Sequence, residues 1–279
     1  MGAHMARRAV GDVVSVWRNT CPSSATRWLA SLMVSLPECA KTQSLRPADR
    51  SWARAGASFR TSTGAVVSLP PAYTPGAREM YCRDVYLRSG LTMPSGGWVI
   101  DLGANCGLFA VWAALTGAQV VAVEAQQGFA AEIERLAAHN EVNERVHVEV
   151  AMASGVTASG AAVGVVADDQ NWSATSHGAP SRPADVSVPE LMSRYQIDRV
   201  GLLKVDIEGG EFAVFGDSDL SWLEQVDQLA LEIHLAYGDA KSLIEDIRRL
   251  GFTVELQDND GDRVAVTSAR LEYAYCIRQ

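Results

Sequence analysis

Apolar residues follow two different spacings along the chain, and the change between them divides it into two parts. Over residues 10–36 they recur at helical spacing, interrupted at Pro22, whereas residues 57–69 form two short β-prone runs around a polar turn with glycine. These patterns predict two short helices and a β-hairpin. We therefore expect an N-terminal cap over residues 5–75, followed by a main domain over residues 76–279.

The main domain alternates apolar runs of strand length with helical segments. Its opening segment, residues 77–88, has helical spacing. The predicted strands lie at residues 98–102, 119–124, 145–150, 200–205 and 228–233, and the predicted helices at 108–115, 130–140, 188–195 and 240–250. Apolar strands that alternate with helices predict an α/β fold, with a Rossmann-like sheet of seven strands that is mostly parallel. Strand-like runs at 252–256 and up to residue 277 predict an antiparallel pair at its C-terminal edge.

The amino-acid composition narrows the classes of molecule that the protein is expected to bind. The 279 residues include 33 acidic and 24 basic side chains, which give a net charge of −9 and an isoelectric point near 5.1. This balance argues against a surface that binds nucleic acid through phosphate contacts. No apolar stretch approaches the roughly 20 residues of a membrane span. Residues 1–4 are typical of a cloning remnant before Met5, and the first residues of the chain lack the pattern of a secretory signal. We expect a cytoplasmic monomer or homodimer without nucleic-acid or membrane partners.

The first motif is the turn that follows the first strand of the main domain and reads D-L-G-A-N-C-G over residues 101–107. Glycines let the backbone of such a turn approach a ligand closely, and the free N–H groups at the start of the next helix favour a negative group. A nicotinamide-binding turn would instead read G-x-G-x-x-G. Glu124 ends the following strand, where a carboxylate can accept both ribose hydroxyls of an adenosine. The turn and this second acid resemble the first two motifs of class I S-adenosylmethionine-dependent methyltransferases.

A second motif, L-L-K-V-D-I-E-G-G-E over residues 202–211, ends the fourth strand of the main domain. Because the carboxyl ends of parallel strands line the ligand crevice, Lys204, Asp206 and Glu208 are expected near a bound cofactor or acceptor. Together with D-L-G-A-N-x-G-x-F, V-x-A-V-E and A-L-E-I-H, the motif resembles the FkbM family of methyltransferases. The resemblance extends over residues 79–277.

The resemblance implies a class I methyltransferase fold and S-adenosylmethionine as methyl donor, with S-adenosylhomocysteine as its product. It also implies, most often, O-methylation of a hydroxyl on a sugar or secondary metabolite. By matching position, residues of the first turn would hold the methionine end of the donor, Glu124 the ribose, and the residues after the third strand the adenine. A Glu and a Tyr that family members often carry ahead of the first motif are matched as well. The implied donor-binding residues are Asp101, Gly103, Asn105, Gly107, Glu124, Ala151, Met152, Glu79 and Tyr81.

Methyl transfer to a hydroxyl requires alignment of the acceptor and removal of the hydroxyl proton. His234, at the end of the fifth strand, could take this proton; Asp206 is the competing candidate, and a mechanism by proximity without a base stays open. Lys204, which could also simply neutralise an acid, and Glu208 complete the catalytic candidates. Glu211 is interpreted as a first-turn acid favoured by the helix dipole. Asp206, Glu208 and His234 could gather a divalent metal ion, but nothing in their spacing requires one, and no metal is favoured.

The loop over residues 167–183 is polar and contains Trp172 followed by Ser173. We interpret it either as a lid in which these two residues bind a small-molecule acceptor, or as an ordinary exposed loop. Because the motifs report the donor more than the acceptor, two alternatives to an O-methyltransferase stay open. One is an N-methyltransferase on the same fold, and the other is a nicotinamide-dependent or non-catalytic nucleotide-binding protein.

Overall fold

The computed structural model describes residues 2–42, 44–53, 56–71, 76–155, 185–216 and 219–279. The N-terminal elements are α1 (Gly2–Asn19), α2 (Pro22–Thr42), α3 (Arg46–Ala53), β1 (Ala57–Arg60) and β2 (Val66–Leu69). The antiparallel pairing of β1 with β2 confirms the predicted hairpin. Both predicted helices are present but longer, since the helical turns continue beyond the apolar stretch at both ends. The short helix α3 is too polar to be recognised from apolar spacing.

A row of aromatic side chains joins the N-terminal elements to the main domain. Trp28 of α2 contacts Trp52 of α3, which contacts Phe59 of β1, with ring centroids 6.4 and 5.0 Å apart. Phe59 contacts Tyr81 at 5.1 Å, and Tyr81 contacts Trp112 at 5.9 Å. All five side chains are buried. The N-terminal elements therefore share the hydrophobic core that covers one face of the main sheet.

The main sheet has seven strands. Their bounds are β3 Trp98–Leu102, β4 Gln119–Glu124, β5 Val146–Val150, β8 Val200–Val205, β9 Gln228–Glu232, β10 Phe252–Gln257 and β11 Tyr273–Arg278, and a separate short pair is formed by β6 Met152–Ala153 and β7 Asp185–Val186. The strand order is β5–β4–β3–β8–β9–β11–β10. Among these described strands, β11 alone runs opposite to the other six, and it lies between β9 and β10. The mostly parallel sheet with an antiparallel C-terminal edge is confirmed.

Five helices accompany the strands of the described main domain. They are α4 Leu108–Leu115, α5 Gln127–His139, α6 Val188–Arg194, α7 Glu211–Val214 and α8 Ala240–Arg249. The helix predicted over residues 77–88 is wrong beyond its first turn, since only Arg78–Cys82 is helical. Asp84 and Ser89 have φ values of 54° and 57°, so the backbone turns there instead of continuing the helix. None of the helices in the described ranges combines the length and apolar content needed to cross a bilayer.

The strand order changes direction between β3 and β8. From β3 the chain moves outward through β4 to β5 and then returns to β8 on the other side of β3. In open α/β sheets, ligands bind outside the carboxyl ends of the strands at such a point. The backbone N–H of Asp206, just after β8, donates to the carbonyl of Leu102 at the end of β3 (3.0 Å). The two sequence motifs therefore meet where a ligand crevice is expected.

Candidate active site

The loop between β3 and α4 follows a path that favours glycine. Gly103 and Gly107 have φ values of 76° and 87°, in the left-handed region. A Cβ on Gly103 would lie 1.7 Å from the main-chain oxygen of Asp206, so any side chain there would push the ends of β3 and β8 apart. A Cβ on Gly107 would crowd Ile133 at 3.1 Å. The absence of side chains at these two positions lets the turn lie close to the end of β8 and to α5.

Gly103→Ala should lower the free energy of unfolding by at least about 2 kcal/mol, because it adds both overpacking and strain at a positive φ. The matched control is Gly128→Ala, since Gly128 lies in α5 with no atom within 4 Å of an added Cβ. Alanine in a helix is favoured over glycine by up to about 1 kcal/mol, so the control should be neutral or stabilising. Urea denaturation of both variants measures the difference. Equal effects would contradict the packing described for the turn.

Glu124 is held in place by two backbone N–H groups. Its Oε2 accepts from Asn105 N at 2.9 Å, and its Oε1 accepts from Gln126 N at 2.8 Å. Burial raises the pKa of the Glu124 carboxyl, and these two hydrogen bonds oppose the rise. Each oxygen keeps a lone pair for a further donor. The carboxylate therefore has the acceptor capacity that a pair of ribose hydroxyls requires.

Lys204 ties the end of β8 to the turn after β3. Its Nζ lies 3.0 Å from Asp101 Oδ1 and donates to the Gly103 carbonyl at 2.7 Å, while Asp206 is farther away at 3.8 Å. Lys204 and Asp101 are both buried. Burial lowers the pKa of Lys204, but Asp101 and Asp206 more than offset this and hold it above its ordinary value. The main partner of Lys204 is thus Asp101, to which the sequence analysis had given only a role in binding the methyl donor.

Two carboxylates face each other at the ends of neighbouring strands. Asp206 follows β8, Glu232 ends β9, and the hydroxyl of Tyr86 lies 2.8 Å from Asp206 Oδ2 and 3.0 Å from Glu232 Oε2. Burial, followed by the charge of Asp206, raises the pKa of the Glu232 carboxyl well above its ordinary value. Sequence reasoning singled out neither Tyr86 nor Glu232. Glu232 stands in the A-L-E-I-H motif and could have been found there, whereas Tyr86 lies in the segment that was predicted to be helical and carries no motif.

His234 follows β9 and is surrounded by carboxylates. Its Nδ1 lies 3.1 Å from Glu211 Oε1, and its Nε2 lies 3.4 Å from Glu208 Oε2 and 4.0 Å from Glu232 Oε1. Burial lowers the pKa of His234, but the hydrogen bond and charge of Glu211 and the charges of Asp206 and Glu232 raise it to about 9. The imidazole is therefore protonated at neutral pH when the crevice holds no other ligand.

A divalent cation could be accommodated in the same place. Ligand atoms of Asp206, Glu232 and His234 all lie within 4.8 Å of one another. Glu232 thus stands where the sequence had suggested Glu208, whose side chain is turned toward His234 instead. Two carboxylates and an imidazole are a donor set that suits a divalent transition metal, but nothing in the arrangement demands one.

The remaining residues that were predicted to bind the methyl donor are Ala151, Met152, Tyr81 and Glu79. Ala151 is buried beside Glu124, to whose carbonyl its N–H donates at 3.2 Å, and Met152 follows in β6. Tyr81 is buried and donates to the carbonyl of Leu108 (2.8 Å) at the start of α4, so it supports the helix that follows the glycine turn. Glu79 lies 3.8 Å from Arg83. The proposed acceptor residues, Trp172 and Ser173, lie outside the described residues.

Comparison with known proteins identifies the family. The sequence profile described as the methyltransferase FkbM domain matches residues 101–258, more than half of the chain. The chain belongs to the FkbM methyltransferase family. This match confirms the resemblance seen in the motifs and, with the strand order of the sheet, the class I methyltransferase fold.

Individual relatives are more distant. The chain is 28% identical over 231 residues to the AMB antimetabolite synthetase AmbE of Pseudomonas aeruginosa, where the match covers 65% of this chain but only 11% of AmbE. It is 27% identical over 210 residues to the 31-O-demethyl-FK506 methyltransferase FkbM of Streptomyces tacrolimicus, with 63% of this chain and 80% of that enzyme covered. Among solved structures, an O-methyltransferase from Bacillus cereus in complex with S-adenosylhomocysteine shares 12% identity at a TM-score of 0.38, over 65% of this chain and 74% of that one.

Proposed function

We propose that this FkbM-family methyltransferase transfers a methyl group from S-adenosylmethionine to a hydroxyl of a small natural-product or sugar acceptor, with His234 as the general base. The observation that supports this most strongly is an imidazole held by a buried carboxylate at the carboxyl end of β9, in the same crevice as the glycine turn. The relative from Streptomyces tacrolimicus, whose name describes a 31-O-demethyl substrate, supports an oxygen acceptor.

The donor fits the residues that are present. Glu124 would hold the ribose hydroxyls through its free lone pairs, and the turn from Gly103 to Gly107 would hold the methionine end. The buried Lys204–Asp101 pair keeps this turn against β8. When bound, S-adenosylmethionine supplies a methyl group that is already activated by the sulfonium charge. The chain's own contribution is therefore alignment, exclusion of water and proton removal.

The acceptor would lie between the donor turn and the carboxylates at the ends of β8 and β9. Asp206 and Glu232, bridged by Tyr86, are placed to accept hydrogen bonds from acceptor hydroxyls. His234 Nε2 faces this side of the crevice and would take the proton of the reacting hydroxyl once the ring is neutral. The positive charge that then forms on the imidazole is balanced by Glu211 and Glu208.

The reaction should accelerate with rising pH. A general base acts only when it is neutral, and because the pKa of His234 is raised to about 9, its neutral fraction grows with pH up to that value. We expect kcat/KM to rise about tenfold per pH unit and to level off near the pKa of the free enzyme's base. A kcat/KM that stays constant between neutral pH and this limit would assign proton removal to a group other than His234.

Transfer of isotope-labelled methyl groups to a panel of hydroxylated and amino compounds tests the proposed acceptor class. NMR of the products distinguishes an O-methyl from an N-methyl group. Labelling of hydroxyl acceptors supports the proposal, whereas exclusive labelling of amines would replace it with N-methylation on the same fold.

A further inference from the structure

The side chain of Glu211 contacts His234 and is not exposed to solvent. It begins α7, yet its side chain is completely buried instead of lying on the surface as a first-turn acid ordinarily does. Its Oε2 accepts from Gly209 N at 2.9 Å, which is the interaction expected of a carboxylate at a helix start. Burying an ionised carboxylate is costly unless several donors compensate. The further donors lie at the other carboxylate oxygen, Oε1.

Two nitrogen atoms of one residue lie within hydrogen-bond distance of the same oxygen of Glu211. The backbone N–H of His234 donates to Oε1 at 2.7 Å, and the ring Nδ1 lies 3.1 Å from it. Because both the main chain and the ring are held by one atom, the imidazole cannot rotate without losing one of these bonds. Nδ1 is therefore directed inward, and Nε2 is directed outward toward the crevice.

The turn before Glu211 packs closely against the ring of Tyr237. Gly209 has a φ of 99°, and a Cβ there would lie 2.5 Å from the ring of Tyr237, so this ring packs directly on the Gly209 backbone. The ring of Tyr237 also contacts that of His234, with centroids 6.5 Å apart. The turn that carries Glu211 and the imidazole that it holds are thus packed against the same aromatic side chain.

We propose that Glu211 is a positioning residue for methyl transfer, which holds the Nδ1–H tautomer of His234 and leaves Nε2 free to take the acceptor proton. This inference rests on the proposed function. In the step, the acceptor O–H proton moves to the Nε2 lone pair, and the oxygen electron pair forms the new bond to the methyl carbon. The carbon–sulfur bond breaks with its electrons going to sulfur. The imidazolium that results is paired with Glu211 and loses its proton to water afterwards.

The first test observes the tautomer in the wild-type protein. Nitrogen-15 NMR of the 279-residue chain, recorded about one pH unit above the pKa of His234, reports which ring nitrogen carries the proton. The His234 signals are assigned by comparison with the spectrum of His234→Ala, because the chain has five histidines. We expect Nδ1 to be protonated and Nε2 to be bare. Protonation at Nε2 would overturn the proposal, whatever the protein's activity.

The second test is Glu211→Gln. The carboxamide is neutral, and its NH₂ group cannot accept a hydrogen bond, so either Gly209 N or the main-chain and ring nitrogens of His234 lose their acceptor. We expect kcat at its pH plateau to fall about 10²-fold, within the usual range for a general base, with the KM for the donor nearly unchanged. The acid limb of the kcat/KM profile should also move about one to two pH units lower, because a carboxylate that favours the imidazolium is lost. The other charged groups near the ring, Asp206, Glu208 and Glu232, stay in place.

Two further variants separate positioning from folding. Glu211→Asp keeps the charge and should retain the high-pH limb and part of kcat, whereas a mere helix cap would tolerate it fully. Glu245→Gln, on the exposed face of α8, is the matched control and should change neither kcat nor the pH profile. An unchanged limb and plateau in a folded Glu211→Gln protein would overturn the proposal. If the wild type shows the expected tautomer but methylates no acceptor, the proposed function fails while the Glu211–His234 geometry stands.

Discussion

His234→Ala should lower kcat by about 10²- to 10⁴-fold, the range typical of a lost general base. The proposed donor site comprises the turn after β3 and Glu124, neither of which contacts His234 among the contacts described above. The dissociation constant of S-adenosylhomocysteine should therefore stay within about twofold of the wild-type value, a difference well below one factor of ten in affinity. Steady-state kinetics and calorimetric titration measure the two quantities.

The control for this substitution is His139→Ala. His139 is exposed at the end of α5 and contacts Ser68 of the hairpin, away from the crevice, so its loss should leave kcat unchanged. A loss of donor affinity in His234→Ala that equals the loss of kcat would show that His234 supports the structure of the site and does not act as a base. Equal loss of kcat in both variants would point to general destabilisation.

Lys204→Met should lower the free energy of unfolding by about 3–5 kcal/mol, because removing one partner of a buried ion pair leaves the other charge without compensation. Asp101 is completely buried, and Lys204 is 3% exposed. The substitution also removes the hydrogen bond to the Gly103 carbonyl that joins the donor turn to β8. Urea denaturation, followed by the intrinsic tryptophan fluorescence of the chain, measures the change.

Two comparisons make the Lys204 result specific. Lys241→Met removes an exposed lysine that lies 3.9 Å from Glu245, and such surface pairs contribute at most about 1 kcal/mol. Adding Asp101→Asn to Lys204→Met removes the unpaired charge and should restore part of the lost stability, since a neutral buried pair avoids the desolvation penalty. If Lys204→Met and Lys241→Met destabilise the protein equally, the buried pair does not support the turn.

The parts of the fold that sequence reasoning predicted well are those where local signals agree. β3, the glycine turn and α4 are recognisable because an apolar run, two glycines and an apolar helix follow one another within 18 residues, 98–115. The path after Cys82 was not recognisable, because the turns at Asp84 and Ser89 depend on contacts with distant strands, such as the hydrogen bond from the Tyr275 hydroxyl to the Val85 carbonyl. The insertion of β11 between β9 and β10 is likewise a long-range pairing.

The same distinction applies to the candidate site. Glu124, Asp206 and His234 could be predicted because each stands at the carboxyl end of an apolar strand, where ligands bind in such folds. The ion pairs and hydrogen bonds that hold the site together could not be predicted from the sequence. Lys204 pairs with Asp101 across 103 positions of sequence, and Glu211 reaches His234 across 23 positions. A charged side chain next to an active-site motif gives no local sign of whether it faces solvent or turns inward.

Calorimetric titration of the wild-type protein with S-adenosylhomocysteine, with NAD in a parallel titration, tests the central claim most directly. We predict a micromolar dissociation constant for S-adenosylhomocysteine and no binding of NAD. Glu124→Ala should weaken S-adenosylhomocysteine binding at least about tenfold, the effect of losing roughly one well-made hydrogen bond. Binding of NAD, binding of neither compound, or unchanged affinity in Glu124→Ala would contradict the donor site described here.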